Sequence, residues 1–133
     1  MGNVVSMAPY SKLRILVVDD NLDQVHSLAF LLKDDGHDVD FAINATFAIE
    51  VARRMQPDLI LLDIGLPDGS GLKVAPLLRL VPGLAQVRII AVTGREIAHR
   101  EMRAAGFDDV LQKPTAYADL RGLLAEAQSR TFG

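Results

Sequence analysis

The 133-residue chain contains no cysteine. Disulfide scaffolds and thiolate metal sites are therefore excluded. Charge of either sign is sparse in excess: the formal net charge is −3 and no run of lysine or arginine stands out. That leaves no electrostatic footprint for nucleic acid and no polybasic patch for a membrane surface. No apolar run approaches the roughly 20 residues of a membrane-spanning helix. No secretory leader is visible, so a soluble cytoplasmic domain is expected. No glycine-rich phosphate loop follows the first apolar run, which argues against a nucleotide-binding domain.

What is present is apolar and evenly spread. Half of the residues are hydrophobic, enough for one sizeable core in a chain of single-domain length. The most informative stretch runs from Leu59 through Asp63 to Gly71. Leu59-Ile60-Leu61-Leu62 enters one carboxylate, Asp63, and a turn-rich segment with Pro67, Gly65, Gly69 and Gly71 follows. An unbroken apolar run closed by turn residues reads as a strand buried on both faces. Asp63 then stands at the carboxyl end of a central strand, where open α/β sheets bind ligands. Its plainer role would be to cap a turn.

Along the chain, strands alternate with helices. Strands are expected over residues 13–18, 38–42, 59–63, 87–92 and 109–112. Helices are expected over 22–33, 46–54, 71–80, 95–105 and 115–128. Val25, Leu28, Ala29 and Leu32 form one face of the first helix, and Phe47, Ala48, Val51 and Ala52 one face of the second. Val74, Leu77, Leu78 and Val81 mark the third, which Pro76 should kink. The fourth has a thin face of Ile97, Ala98, Met102 and Ala105. Leu120, Leu123, Leu124 and Ala127 mark the fifth. An Asp or Asn caps the first helix, and Gly36 and Gly106 are fitting stops. Val39 and Phe41 alternate with polar residues, as on an edge strand.

Five strand–helix repeats with short loops argue a doubly wound parallel sheet of the flavodoxin-like (βα)5 type, strand order 2-1-3-4-5. The three richest apolar runs are strands 1, 3 and 4, which that order makes central. Residues 1–11 are expected to be a flexible tail, 12–129 the domain and 130–133 a C-terminal tail. Met1-Gly2-Asn3-Val4-Val5-Ser6 matches the acylation pattern, but the pattern is too loose to outweigh the tail reading.

In such a sheet every strand ends on the same edge. Strand 1 ends at Asp19-Asp20, strand 3 at Asp63, strand 4 at Thr93 and strand 5 at Lys113. Each has a plainer use: Asp19, Asp20 and Thr93 as helix caps, Lys113 as a solvated lysine. Their convergence is much harder to account for that way. Carboxylates crowded together repel, and Lys113 supplies only one positive charge. A hard divalent cation would supply the rest, and Mg2+ suits carboxylates, a backbone carbonyl and water. Zinc is disfavoured because His26, His37 and His99 read as solvated positions away from these strand ends. The group then has the parts of a phosphoryl-transfer site. Asp63 is the nucleophile, Thr93 and Lys113 bind phosphoryl oxygens, and backbone N–H groups near Gly65 and Gly94 complete a cradle into which glycine admits the backbone closely.

The sequence resembles the receiver domain of two-component response regulators. The matching pieces are Val17-Val18-Asp19-Asp20-Asn21, Leu61-Leu62-Asp63-Ile64-Gly65-Leu66-Pro67, Gly69-Ser70-Gly71, Ala91-Val92-Thr93-Gly94, Ala105-Gly106-Phe107 and Lys113-Pro114. The resemblance implies that Asp63 accepts a phosphoryl group from a phosphohistidine. It implies that Asp19, Asp20, Asp63 and the Gly65 carbonyl hold Mg2+, with Mn2+ as a substitute, and that Lys113–Pro114 is a cis peptide. It implies a histidine kinase or a histidine phosphotransfer protein as donor. The downstream protein would be met through helix 4, strand 5 and helix 5, with no nucleic acid and no membrane.

Four positions depart from or tune the pattern. Val110 stands where many receivers carry the aromatic ring that turns inward when the threonine moves. Gly65 and Arg95, two residues beyond Asp63 and Thr93, occupy positions that set the lifetime of the phosphoryl group. Pro76 is not typical of the third helix. The alternative on the same fold is a phosphate-independent interaction module, which would usually have lost an acidic or lysine position. A haloacid-dehalogenase-type phosphohydrolase would need Asp-x-Asp after the first strand, which Asp19-Asp20-Asn21 is not. The wording of Ile64-Gly65-Leu66-Pro67 and Thr93-Gly94 is most similar to receivers of hybrid sensor histidine kinases or single-domain regulators.

Overall fold

The computed structural model describes residues 12–66, 71–94 and 99–132. Five strands, β1 (Arg14–Val18), β2 (Asp38–Ala42), β3 (Leu59–Asp63), β4 (Arg88–Thr93) and β5 (Asp109–Gln112), form one parallel sheet in the order β2-β1-β3-β4-β5. The helices are α1 (Leu22–Asp34), α2 (Ala45–Met55), α3 (Gly71–Arg79), α4 (His99–Ala104) and α5 (Tyr117–Phe132). The order follows the apolar content of the strands. All five residues of β3 are buried, whereas β2, at the edge, buries only Ala42 fully.

Side-chain alternation divides the core in two. Leu16, Val18, Ile60, Leu62, Ile89 and Ala91 point to the side of α2 and α3. Ile15, Val17, Leu59, Leu61, Ile90 and Val92 point to the side of α1 and α5. Each face is filled by the small and branched residues that the helix stripes present: Val25, Ala29 and Leu32 from α1, Ala48, Val51 and Ala52 from α2.

Several expectations need correction. Phe47 is 54% exposed rather than inward. The Asn44 side chain accepts from the Phe47 N–H and starts α2 at Ala45, so its packing face is the small-residue stripe and the bulky ring is left on the flank. Leu77 is likewise 49% exposed, and Val74, Ala75 and Leu78 carry the burial of α3. Phe41 is partly exposed on the edge strand, with its ring edge-on to His26. His37, read as solvated, is buried. The chain turns into β2 at Gly36 (φ 96°) and folds the imidazole beneath Leu13. In the α4 region, residues 95–98 lie outside the described residues, and with them Ile97 and Ala98. Met102 is buried, but Ala105 falls after the helix. The last helix runs past Gln128 to Phe132, through residues read as a tail, and Arg130 pairs with Glu126 one turn back at 3.6 Å. Pro76 does lie inside α3, and Gly106 (φ 95°) follows α4.

This packing separates two mutations that hydropathy alone would equate. Leu62→Ala empties a fully buried position on the central strand and should cost about 2–5 kcal/mol in urea unfolding. Phe47→Ala should cost less than about 0.5 kcal/mol.

Candidate functional site

The parallel strands deliver four charged side chains to one edge. Asp19 follows β1 in phase with Ile15 and Val17, and Asp63 ends β3 in phase with Leu59 and Leu61. Lys113 follows β5 in phase with Leu111. All three therefore belong to the same face of the sheet. Lys113 Nζ lies 3.1 Å from Asp19 Oδ2 and 3.4 Å from Asp63 Oδ2, bridging the ends of β1 and β3. Burial works against the ammonium's charge. The hydrogen bond and charge of Asp19, with the charge of Asp63, outweigh it, and the Lys113 pKa is raised above the ordinary lysine value.

The cap reading of the aspartates fails on geometry. Asn21 caps α1, its side chain accepting from the Gln24 N–H at 3.2 Å. Asp19 and Asp20 are thus left for the edge. Asp19 Oδ1 accepts from the Asn21 N–H at 3.0 Å, which turns the carboxylate inward. Asp63 Oδ1 accepts from the Gly65 N–H, also at 3.0 Å. Asp19 and Asp63 are buried and Asp20 is exposed. One carboxylate oxygen from each of Asp19, Asp20 and Asp63 lies within 4.8 Å of the others. This oxygen-only set, carrying three negative charges against one ammonium, has the donor chemistry of a hard divalent cation such as Mg2+.

Thr93 is buried at the end of β4, in the opposite phase, in step with Ile89 and Ala91. Its carbonyl accepts from the Lys113 N–H at 2.7 Å, so the backbone ties the hydroxyl-bearing and ammonium-bearing residues together. Lys113–Pro114 is cis. Val110 is half-buried and packs against the core cluster on the α2 and α3 side. Arg95 lies outside the described residues, as do residues 67–70.

The glycine demand falls elsewhere than expected. A Cβ on Gly94 would meet nothing within 4 Å, and one on Gly65 would lie at an ordinary 3.7 Å from Asp63 Oδ1. Gly65 donates its N–H to that oxygen, but no close backbone approach requires glycine there. Gly71 is the constrained position. A Cβ there would stand 2.5 Å from Ile64 Cα and 2.8 Å from the Asp63 carbonyl oxygen. The Gly71 N–H donates to the Ile64 carbonyl at 2.9 Å, seating the start of α3 directly on the backbone that carries Asp63. The signal in the sequence was a glycine opening a helix, which propensity disfavours and which therefore needs a packing reason.

Comparison with known proteins shows the family of the chain. Residues 15–125 match the family model described as response regulator receiver domain, and the chain belongs to that family. It is 34% identical over 112 residues to the signal transduction histidine-protein kinase BarA of Escherichia coli, aligning 83% of this chain with 12% of that protein. It is 35% identical over 101 residues to the DNA-binding response regulator MtrA of Mycobacterium tuberculosis, 76% of this chain against 44% of that one. The chain thus spans a minor part of these two relatives. Among solved structures, a two-component response regulator from Clostridium difficile superposes with a TM-score of 0.84 at 27% identity, covering 92% of this chain and all of that one. A CheY-like receiver domain from Methylobacillus flagellatus superposes with a TM-score of 0.80, also at 27% identity, covering 87% of this chain and 98% of that one.

If Gly71 seats the Asp63 turn, Gly71→Ala should lower stability by about 1–3 kcal/mol. Gly94→Ala should change it by less than about 0.5 kcal/mol. Denaturant melts of the two variants check the contrast.

Proposed function

We infer that the chain accepts a phosphoryl group on Asp63 from a phosphohistidine and passes the change to partner proteins. The observation that carries this reading is the bridge of Lys113 to both Asp19 and Asp63 within a cluster of three carboxylate oxygens. A carboxylate oxygen of Asp63 attacks phosphorus in line with the P–N bond of the donor. The P–O bond forms, the P–N bond breaks, and its electron pair returns to the imidazole, which leaves with a proton from solvent. Mg2+, or Mn2+ in its place, held by Asp20, Asp63 and the Gly65 carbonyl with Asp19 beside them, would supply the positive charge that lets two anions meet. Lys113 shifts from its carboxylate partners to one phosphoryl oxygen, and the Thr93 hydroxyl donates to another.

The donor would be a histidine kinase or histidine phosphotransfer protein. A cleft of about 370 Å3 between α1 and the start of α5 opens beside Asp19. Leu28, half-buried, and Leu31, exposed, give its rim an apolar character suited to a partner's helix. The downstream surface is α4, β5 and α5, reached from Thr93. No helix among the described residues is long and apolar enough to cross a membrane, and a cytoplasmic site of action is part of this proposal. With Val110 in place of a ring, the response is a graded population shift rather than an aromatic swap.

Incubation with acetyl phosphate and Mg2+ should add one phosphoryl mass to the intact protein. Asp63→Asn should abolish the addition, and Asp20→Ala should reduce it. Modification of Asp63→Asn to the wild-type extent would remove the assignment. Hydrogen exchange with beryllofluoride, which mimics the acyl phosphate, should change protection mainly at Thr93, Gly94 and α4. Changes confined to α1 and the Gly65 turn would contradict the proposed route.

A further inference from the structure

His37 lies at the opposite end of the sheet from Asp63, where the chain leaves α1 and enters β2. Only 8% of its surface is exposed, and it sits between Leu13 and the end of α1. Nδ1 accepts from the Leu13 N–H at 3.0 Å. An accepting Nδ1 requires the neutral tautomer with its proton on Nε2. The neighbouring N–H groups are committed elsewhere: the His37 N–H donates to the Leu32 carbonyl and the Asp38 N–H to the Leu13 carbonyl. Leu13 is completely buried, so its N–H has no water to turn to.

We propose that His37 is an acid-sensitive latch that fixes the chain where it enters β1 and releases it when the imidazole takes up a proton. Protonated at Nδ1, the ring would present an N–H to the Leu13 N–H, and a buried donor would lose its acceptor. The charged groups at this corner do not offset that loss. Burial lowers the His37 pKa, and the pull of Asp35 in the other direction is smaller. The Asp35 carboxylate is already engaged by the Tyr117 hydroxyl and lies 3.9 Å from Arg121 of α5. Burial, and the hydrogen bond and charge of Asp35, push the Tyr117 phenol up to about 12, so it keeps its proton throughout. Lys12 and Asp38 pair with each other at 3.3 Å, and Arg14 lies 3.9 Å from Asp58, all around the strand starts. Lys33 and Asp34, in the last turn of α1, are exposed.

The sign follows from linkage. Folded His37 binds its proton less readily than unfolded His37. Its contribution is complete above the unfolded value of 6.5 and is lost as pH falls from there through the lowered folded value. The consequence is local first: the start of β1 should loosen in mild acid while the ladder around β3 persists.

NMR of the labelled protein between about pH 8 and about pH 5 tests this. The His37 imidazole should show an unprotonated Nδ1 near neutral pH and titrate below the free value. Protection of the Leu13 amide, corrected for intrinsic exchange, should fall about tenfold between about pH 7 and about pH 5. In His37→Asn, whose side-chain oxygen accepts without titrating, it should fall less than about twofold. Equal loss in both proteins overturns the proposal. Titration at or above the free value, or a proton on Nδ1 near neutral pH, overturns it from wild-type spectra alone, whether or not the variant folds.

Discussion

Three carboxylates and one ammonium share the carboxyl edge of a sheet whose interior is apolar, and the surrounding structure is arranged to hold that imbalance. Asp19 and Asp63 are buried. Each uses one oxygen on a backbone N–H two residues ahead and the other on Lys113. Those bonds aim the side chains and fix them, but they do not cancel the charge. Like charges held this close destabilise the fold unless a cation joins them. Such a cluster costs stability, and the apolar layers on both faces of β3 offset that cost.

The precision of the edge comes from the backbone beneath it. Gly71 lets α3 begin in contact with the Asp63 and Ile64 main chain. The Lys113 N–H to Thr93 carbonyl bond sets the end of β5 against that of β4. Further down, Arg79 at the end of α3 donates to the carbonyls of Gly106 and Val87 and pairs with Asp108. Asp108 in turn accepts from the Ile89 N–H. The connection between α4 and β5 is thereby pinned at the end of the sheet remote from Asp63.

Much of this was legible in the residues. The strands were, because unbroken apolar runs and period-2 alternation closed by turn residues seldom arise outside a sheet, and β2, β3 and β5 fall on the expected residues. Asp19, Asp20, Asp63 and Lys113 were, because parallel topology puts all strand ends on one edge. Less legible were features set by packing rather than pattern. Phe47 is apolar and near helical phase, yet the Asn44 cap and the small-residue stripe leave it outside. His37 is polar and follows a glycine, yet the turn folds it inward onto a main-chain donor. Gly71 was visible as part of a motif, but its collision with the Asp63 backbone exists only in three dimensions. The final turn of α5 carries an exposed Glu126–Arg130 pair that composition alone did not single out.

The central claim is that the acidic edge is an electrostatically unfavourable cluster maintained for a cation. Asp20 tests it best, because it is exposed, caps no helix and belongs to the triad without pairing to Lys113 in the ion-pair geometry. The direct measurement is the unfolding free energy of wild type and Asp20→Asn, with and without Mg2+, at matched ionic strength. Without Mg2+ the variant should be the more stable protein. Added Mg2+ should then stabilise the wild type and leave Asp20→Asn nearly unchanged. A variant that is less stable in the absence of metal, or one that gains as much from Mg2+ as the wild type does, would contradict the account.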